Sequence, residues 1–177
     1  MAICYHCKQK EKIYGRKYVG EKICFNCHAL LGFSICLSTH ESMKADKRKG
    51  GYQNFEELVQ LVKPRKALYD ELVANFIPSR TFTLERPNYT GEDKIEIDEQ
   101  GKTIRIIEGY TNGVTYSKNP SIVYIRYSDI LSITSDSSLS CLKYNLLGQA
   151  EDNYFFRPKE REKDLFNFFD EIVKTQS

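Results

Sequence analysis

What the chain lacks narrows it first. Its longest apolar stretch, Ala29-Leu30-Leu31-Gly32-Phe33-Ser34-Ile35-Cys36-Leu37, falls far short of the roughly 20 residues that a membrane-spanning helix needs. The opening Met1-Ala2-Ile3-Cys4 has neither a basic n-region nor an apolar signal core, so no secretory leader is expected. Low-complexity tracts are absent, and 41% hydrophobic with 28% charged residues describes a folded globular chain rather than a disordered one. Neither phosphate-cradling loop, G-x-x-x-x-G-K-[ST] or G-x-G-x-x-G, occurs, which removes the commonest nucleotide-binding classes. The only histidines, His6, His28 and His40, stand in no pattern that prepares a Cys–His nucleophile. No catalytic residue and no enzymatic activity is expected, and the expected setting is cytoplasmic with no membrane insertion.

Cysteine is what the chain has in pattern. Cys4-Tyr5-His6-Cys7 is answered by Cys24-Phe25-Asn26-Cys27 after sixteen intervening residues, inside the range read as a four-cysteine zinc site. Each C-x2-C pair can turn two thiolates toward one point, and two such turns complete a tetrahedron at Zn–S distances of roughly 2.3 Å. A reducing cytosol keeps thiols free, which favours metal over disulfides. Two redox pairs or an iron–sulfur site are the alternatives, although a thioredoxin-type pair wants a βαβ setting that is missing here. Four thiolates leave no open coordination position, so the expected cofactor is one structural Zn²⁺ held by Cys4, Cys7, Cys24 and Cys27. His6 and His28 adjoin the site, but four thiols already fill it. Cys36 and Cys141 read as buried free thiols.

Charge supplies a second theme. The net charge of +2 hides an asymmetry: residues 1–78 carry 13 Lys and Arg against 8 Asp and Glu, and residues 79–177 carry 13 against 16. Basic residues beside Tyr14 and Tyr18 in the cysteine-bounded segment, and again across Lys44–Lys49, are the pattern that grips a single strand by its backbone and bases. The alternative function is therefore a nucleic-acid-associated regulator, with Lys8, Lys10, Arg16, Lys17, Lys47, Arg48 and Lys49 as contacts. Glu11, Glu21, Glu41 and Asp46 interrupt the run, as on an ordinary solvated face.

Glycines at 15 and 20 punctuate short β-prone pieces over 12–23, predicting a β-ribbon, and 29–37 predicts a helix capping it. The polar stretch 38–51 reads as a linker. Asn54 with Glu57 forms a capping box for a helix whose face is Phe55, Leu58, Val59 and Val62. Pro64 should end or kink that helix, and the next has the stripe Leu68, Leu72 and Phe76. From Ser79 the period becomes strand-like. Strands are expected at 81–84, 94–98, 103–107, 122–127, 130–134, 141–146 and 153–156, with a hairpin turn at Glu99-Gln100-Gly101-Lys102. A terminal helix over 160–174 has Leu165, Phe166, Phe169, Ile172 and Val173 on one face, leaving Phe168 off the stripe. The fold class is α+β: a zinc-ribbon-like module at 1–40, a linker and helical connector at 41–78, and an antiparallel β domain with a C-terminal helix at 79–177.

Two stretches resemble known families. Cys4-x2-Cys7, the Lys/Gly-rich ribbon and Ile23-Cys24-x2-Cys27 resemble the small zinc-ribbon-like domains that begin many bacterial proteins, over about residues 1–40. Ile125-Arg126-Tyr127-Ser128-Asp129-Ile130-Leu131-Ser132-Ile133, followed by two more strands and a Phe-rich helix, resembles bacterial pleckstrin-homology-like domains, over about residues 79–177. The two often share one chain. The resemblance implies a seven-stranded bent sheet or barrel closed by the C-terminal helix, acting as a binding platform. Phosphoinositide-binding members cluster Lys and Arg in the first hairpin, whereas Glu92, Asp93, Glu96, Asp98 and Glu99 here stand beside only Lys94 and Lys102. The implied function is that of a protein–protein interaction module or adaptor in a bacterial or phage setting, its partner another protein.

Overall fold

A computed structural model describes residues 2–11, 16–37, 39–46, 52–85, 92–109, 111–112, 115–116, 121–148 and 151–176. The fold is mixed α+β with antiparallel sheets, and the chain divides into two compact units, Met1–Asp70 and Glu71–Ser177.

In the first unit, β1 (Ala2–Ile3) pairs with β2 (Lys10–Glu11), and β3 (Arg16–Tyr18) with β4 (Glu21–Ile23), both antiparallel. Val19 and Gly20 close the second hairpin with φ of 49° and 89°, the doubly left-handed turn that matches the strand twist. The single helix expected over 29–37 is instead two: α1 (Phe25–Leu30) and α2 (Phe33–Cys36). Gly32 makes the break, because its φ of 76° suits a residue without a Cβ. A side chain there would also collide with that of Lys66. Within the stretch read as a linker, Thr39–Asp46 forms α3. Its Ala45 is fully buried and accepts a hydrogen bond from Val19 N–H at 2.7 Å.

α4 (Phe55–Asn75) is continuous, so Pro64 does not end it and the two expected helices are one. Proline costs the helix one hydrogen bond, but strong helix formers surround it, and Phe55, Leu58, Val62 and Tyr69 are buried along one face. Asn54 Oδ1 accepts from Glu57 N–H at 2.8 Å, and Glu57 accepts from Gln53 N–H at 2.6 Å, the expected N-terminal box displaced by one residue on its return bond. Of the expected second stripe, Leu68 is 37% exposed and Leu72 is half-buried. Phe76 lies past the helix end.

The second unit opens with β5 (Arg80–Glu85), β6 (Glu92–Asp98) and β7 (Thr103–Glu108), followed by the short pair β8 (Thr111–Asn112) and β9 (Thr115–Tyr116), and then β10 (Ser121–Arg126). The four long strands make one sheet, ordered β10-β7-β6-β5. After a 3-10 turn at Tyr127–Asp129, β11 (Ile130–Ser135), β12 (Ser140–Tyr144) and β13 (Asp152–Phe156) make a second sheet in that order. α5 (Lys163–Gln176) completes the unit. Seven strands were expected in one bent sheet or barrel; the described residues of this unit form a four-stranded, a three-stranded and a small two-stranded sheet, and no closed barrel. The alternation that sequence reveals fixes which face of a strand is buried, not where a sheet divides. Register stacks Phe82, Ile95, Ile106 and Val123 in one inward row, and Ile97, Ile104 and Ile125 in the next. Leu165, Phe169 and Ile172 of α5 join Leu142, Tyr154 and Phe156 in the same core.

Candidate metal centre

Two local devices aim the cysteines. In the first knuckle Cys4 N–H donates to Gln9 O and Lys8 N–H to Cys4 O, each at 2.9 Å, and Lys8 takes a left-handed φ of 61°, which curls Cys4 and Cys7 around one point. In the second, Cys24 is the N-cap of α1, its Sγ accepting from Cys27 N–H at 3.4 Å. Serine-like capping by a cysteine sulfur places Cys24 and Cys27 on the same side of the first helical turn. The knuckles meet directly: Cys24 N–H donates to Cys4 Sγ at 3.3 Å, and Cys7 Sγ lies 3.9 Å from Cys24 Sγ.

The four Sγ atoms all lie within 4.8 Å of one another, and all four cysteines are free of disulfides. A tetrahedron with Zn–S of about 2.3 Å has edges of about 3.8 Å, so the donor set fits such an ion. Electrostatics points the same way. Burial pushes the Cys4 thiol up, but N–H groups of Cys24 and Cys7 outweigh it and bring it down to about 6. Cys27 is driven strongly upward by burial and by its three thiol neighbours. Four thiols this close cannot all ionise without a cation among them. A bound divalent cation would offset half of the charge of four thiolates and tie the two hairpins together.

Aromatic packing surrounds the centre. Tyr18, 1% exposed, shares a 2.8 Å hydrogen bond with His28 Nε2 and meets Phe33 edge-on at 5.0 Å. Phe33 in turn meets Phe55 at 5.6 Å, and Phe55 meets Tyr5 at 5.2 Å. His28 is thus held by Tyr18, its basicity lowered by burial and by Arg16, and neither it nor the exposed His6 joins the sulfur cluster. Cys36 is fully buried, with its thiol raised to about 11 by burial. Cys141 is half-buried on β12.

The basic residues are less gathered. Lys8, Lys10, Arg16 and Lys17 are exposed; Lys8 Nζ stands 4.3 Å from the Tyr5 ring centroid and Arg16 donates to Ser42 Oγ at 3.2 Å. Lys47, Arg48 and Lys49 lie outside the described residues.

One feature gave no sequence signal. The second unit contains a cleft of about 720 Å³, whose walls include Arg80, Lys102, Tyr127, Phe168 and Ile172. These positions are scattered over some ninety residues and form no motif.

The chain matches no protein-family model, no curated protein and no solved structure. Among the described residues, no helix is long and apolar enough to cross a membrane.

Proposed function

We propose that the chain is a non-enzymatic adaptor: one structural Zn²⁺ on Cys4, Cys7, Cys24 and Cys27 holds a zinc-ribbon-like module, and a pleckstrin-homology-like unit presents a surface to another protein in a bacterial or phage cytoplasm. The convergence of four sulfur atoms within 4.8 Å carries the metal part. Zinc suits four thiolates in a closed site, where the ion's binding free energy is also folding free energy for a module with a small core. The platform part is supported by a four-stranded sheet, a three-stranded sheet and a helix that shares their core.

Metal analysis of the purified chain tests the first part. About one zinc per chain is expected, and Cys24→Ser should lose it. Stoichiometric zinc in that variant would remove the four-thiolate assignment. For the second part, a partner captured from the native host should bind the purified chain saturably at one-to-one stoichiometry. If every captured protein fails that reconstitution, the adaptor reading is wrong.

A second reading rests on the exposure of Lys8, Lys10, Arg16 and Lys17. A regulator using them would bind nucleic acid with an affinity falling steeply as salt rises. Absence of retention on single- and double-stranded DNA and RNA at low salt excludes it.

A further inference from the structure

Lys102 closes the β6–β7 turn with a φ of 51°, a left-handed conformation costly for a lysine and normal for glycine or asparagine. Its ammonium stands 5.4 Å from the Tyr127 ring centroid, beside the 720 Å³ cleft. That volume falls within the range of small-molecule sites. Arg80 reaches the same cleft at the start of β5, on the inward side with Phe82, its guanidinium 4.4 Å from that ring. Among the described residues neither Arg80 nor Lys102 forms an ion pair. The third cation, Arg126, is occupied: its Nε and Nη2 donate to the two oxygens of Asp129 at 2.9 and 2.7 Å. Two cations parked on aromatic rings keep their charge available for an incoming anion.

The rest of the wall limits what that anion is. Leu72, Phe168 and Ile172 supply apolar surface, which calls for an apolar body. Glu99 and Glu171 also line the cleft, and the carbonyl end of α5 adds negative potential. These three features oppose a ligand of high charge such as a phosphate dianion. Beneath this wall the Tyr127 hydroxyl is buried and, among the described residues, has no hydrogen-bond partner, which is unusual for a buried polar group.

We propose that this cleft binds an amphiphilic organic monoanion, an apolar body carrying a single carboxylate that Lys102 and Arg80 receive. The site is separate from the metal centre and uses none of its residues.

Decanoate below its micellar range is the probe, titrated calorimetrically into the full zinc-loaded chain at low salt. Decyltrimethylammonium and decyl phosphate serve as the cationic and dianionic controls. Saturable one-to-one binding of decanoate is expected, with amide shifts concentrated at 99–102, 126–128 and 171–176. Lys102→Asn keeps a residue that tolerates the left-handed turn, and should weaken binding about tenfold, the scale of one charge-assisted contact. Arg80→Gln, on the exposed first residue of β5, should do the same and guards against a turn that fails to form. The proposal is overturned if decanoate does not saturate, if the ammonium amphiphile binds equally well, if decyl phosphate binds more tightly, or if both folded variants keep the parent affinity.

Discussion

Val19 and Asp98 show how much a single side chain can hold in this molecule. A β-branched residue at φ of 49° is strained by about 1–3 kcal/mol, and the turn that Val19 shares with Gly20 favours Asn at that position. Val19→Asn should therefore raise the stability of the metal-loaded first unit by about 1 kcal/mol, read as a higher denaturation midpoint. Asp98, 4% exposed, accepts from Gly101 N–H at 2.7 Å and Ile77 N–H at 3.0 Å, and these bonds hold its carboxyl below the usual range. A carboxylate with a depressed folded value stabilises fully above its unfolded value, near 3.9, and loses that contribution as pH falls through the folded value. Acidification below about pH 4 should thus destabilise the parent chain, while Asp98→Asn, weaker at neutral pH by about 1 kcal/mol, should lose less on acidification. Thermal melts between pH 7 and pH 3 make the comparison. Neither residue carries a local signal: Asp98 ends the expected strand 94–98, and its partner Ile77 comes from a preceding segment. The cysteine pairs and the Asn54–Glu57 box were legible because their chemistry is complete within four residues.

At the scale of elements, α4 shows a local rule overridden. Proline in a helix interior costs about 3 kcal/mol relative to alanine, yet the helix runs through Pro64 from Phe55 to Asn75. Pro64→Ala should restore the missing bond and slow amide exchange over residues 60–68, with a gain of about 1–3 kcal/mol once the unfolded chain's added freedom is discounted. Unchanged exchange there would mean the ring is already accommodated at no cost. α5 begins three residues later than expected, and of the expected face Leu165, Phe166, Phe169 and Ile172 are buried and Val173 half-buried. Phe169 is fully buried against Phe156 and Phe168, so Phe169→Ala should cost the second unit about 3–5 kcal/mol in denaturant unfolding. Phe168, off the stripe, is half-buried with its ring edge-on to Tyr127 at 5.8 Å. The hydrophobic period predicts a helix's main face well, but not which flank a neighbouring turn will cover. The same limit hid the outer face of the four-stranded sheet, where Arg105 pairs with Glu96, donates to Tyr124 at 3.2 Å and stacks under Phe76.

For the whole molecule, the division at Asp70 separates a unit that contains every clustered cysteine from one that contains none. Chelation should therefore unfold the first unit and leave the second intact. Two denaturation transitions are expected, of which only one responds to chelator, and circular dichroism with and without it tests this. Long-range contacts account for what the sequence could not disclose. Tyr154 donates to the buried Asp93 at 2.9 Å across 61 residues, joining the two sheets through a bond that neither residue advertises in its own neighbourhood.

The strand order has a consequence for how the second unit comes into being. Each strand within a sheet pairs with the next long strand in the chain, so every hairpin can close by short-range encounters as it leaves the ribosome, with little loop entropy to overcome. The core nonetheless stays open on one side until Leu165, Phe169 and Ile172 have been synthesised. Until α5 emerges, the nascent sheets present isoleucine-rich inner faces to solvent, the kind of surface that chaperones capture.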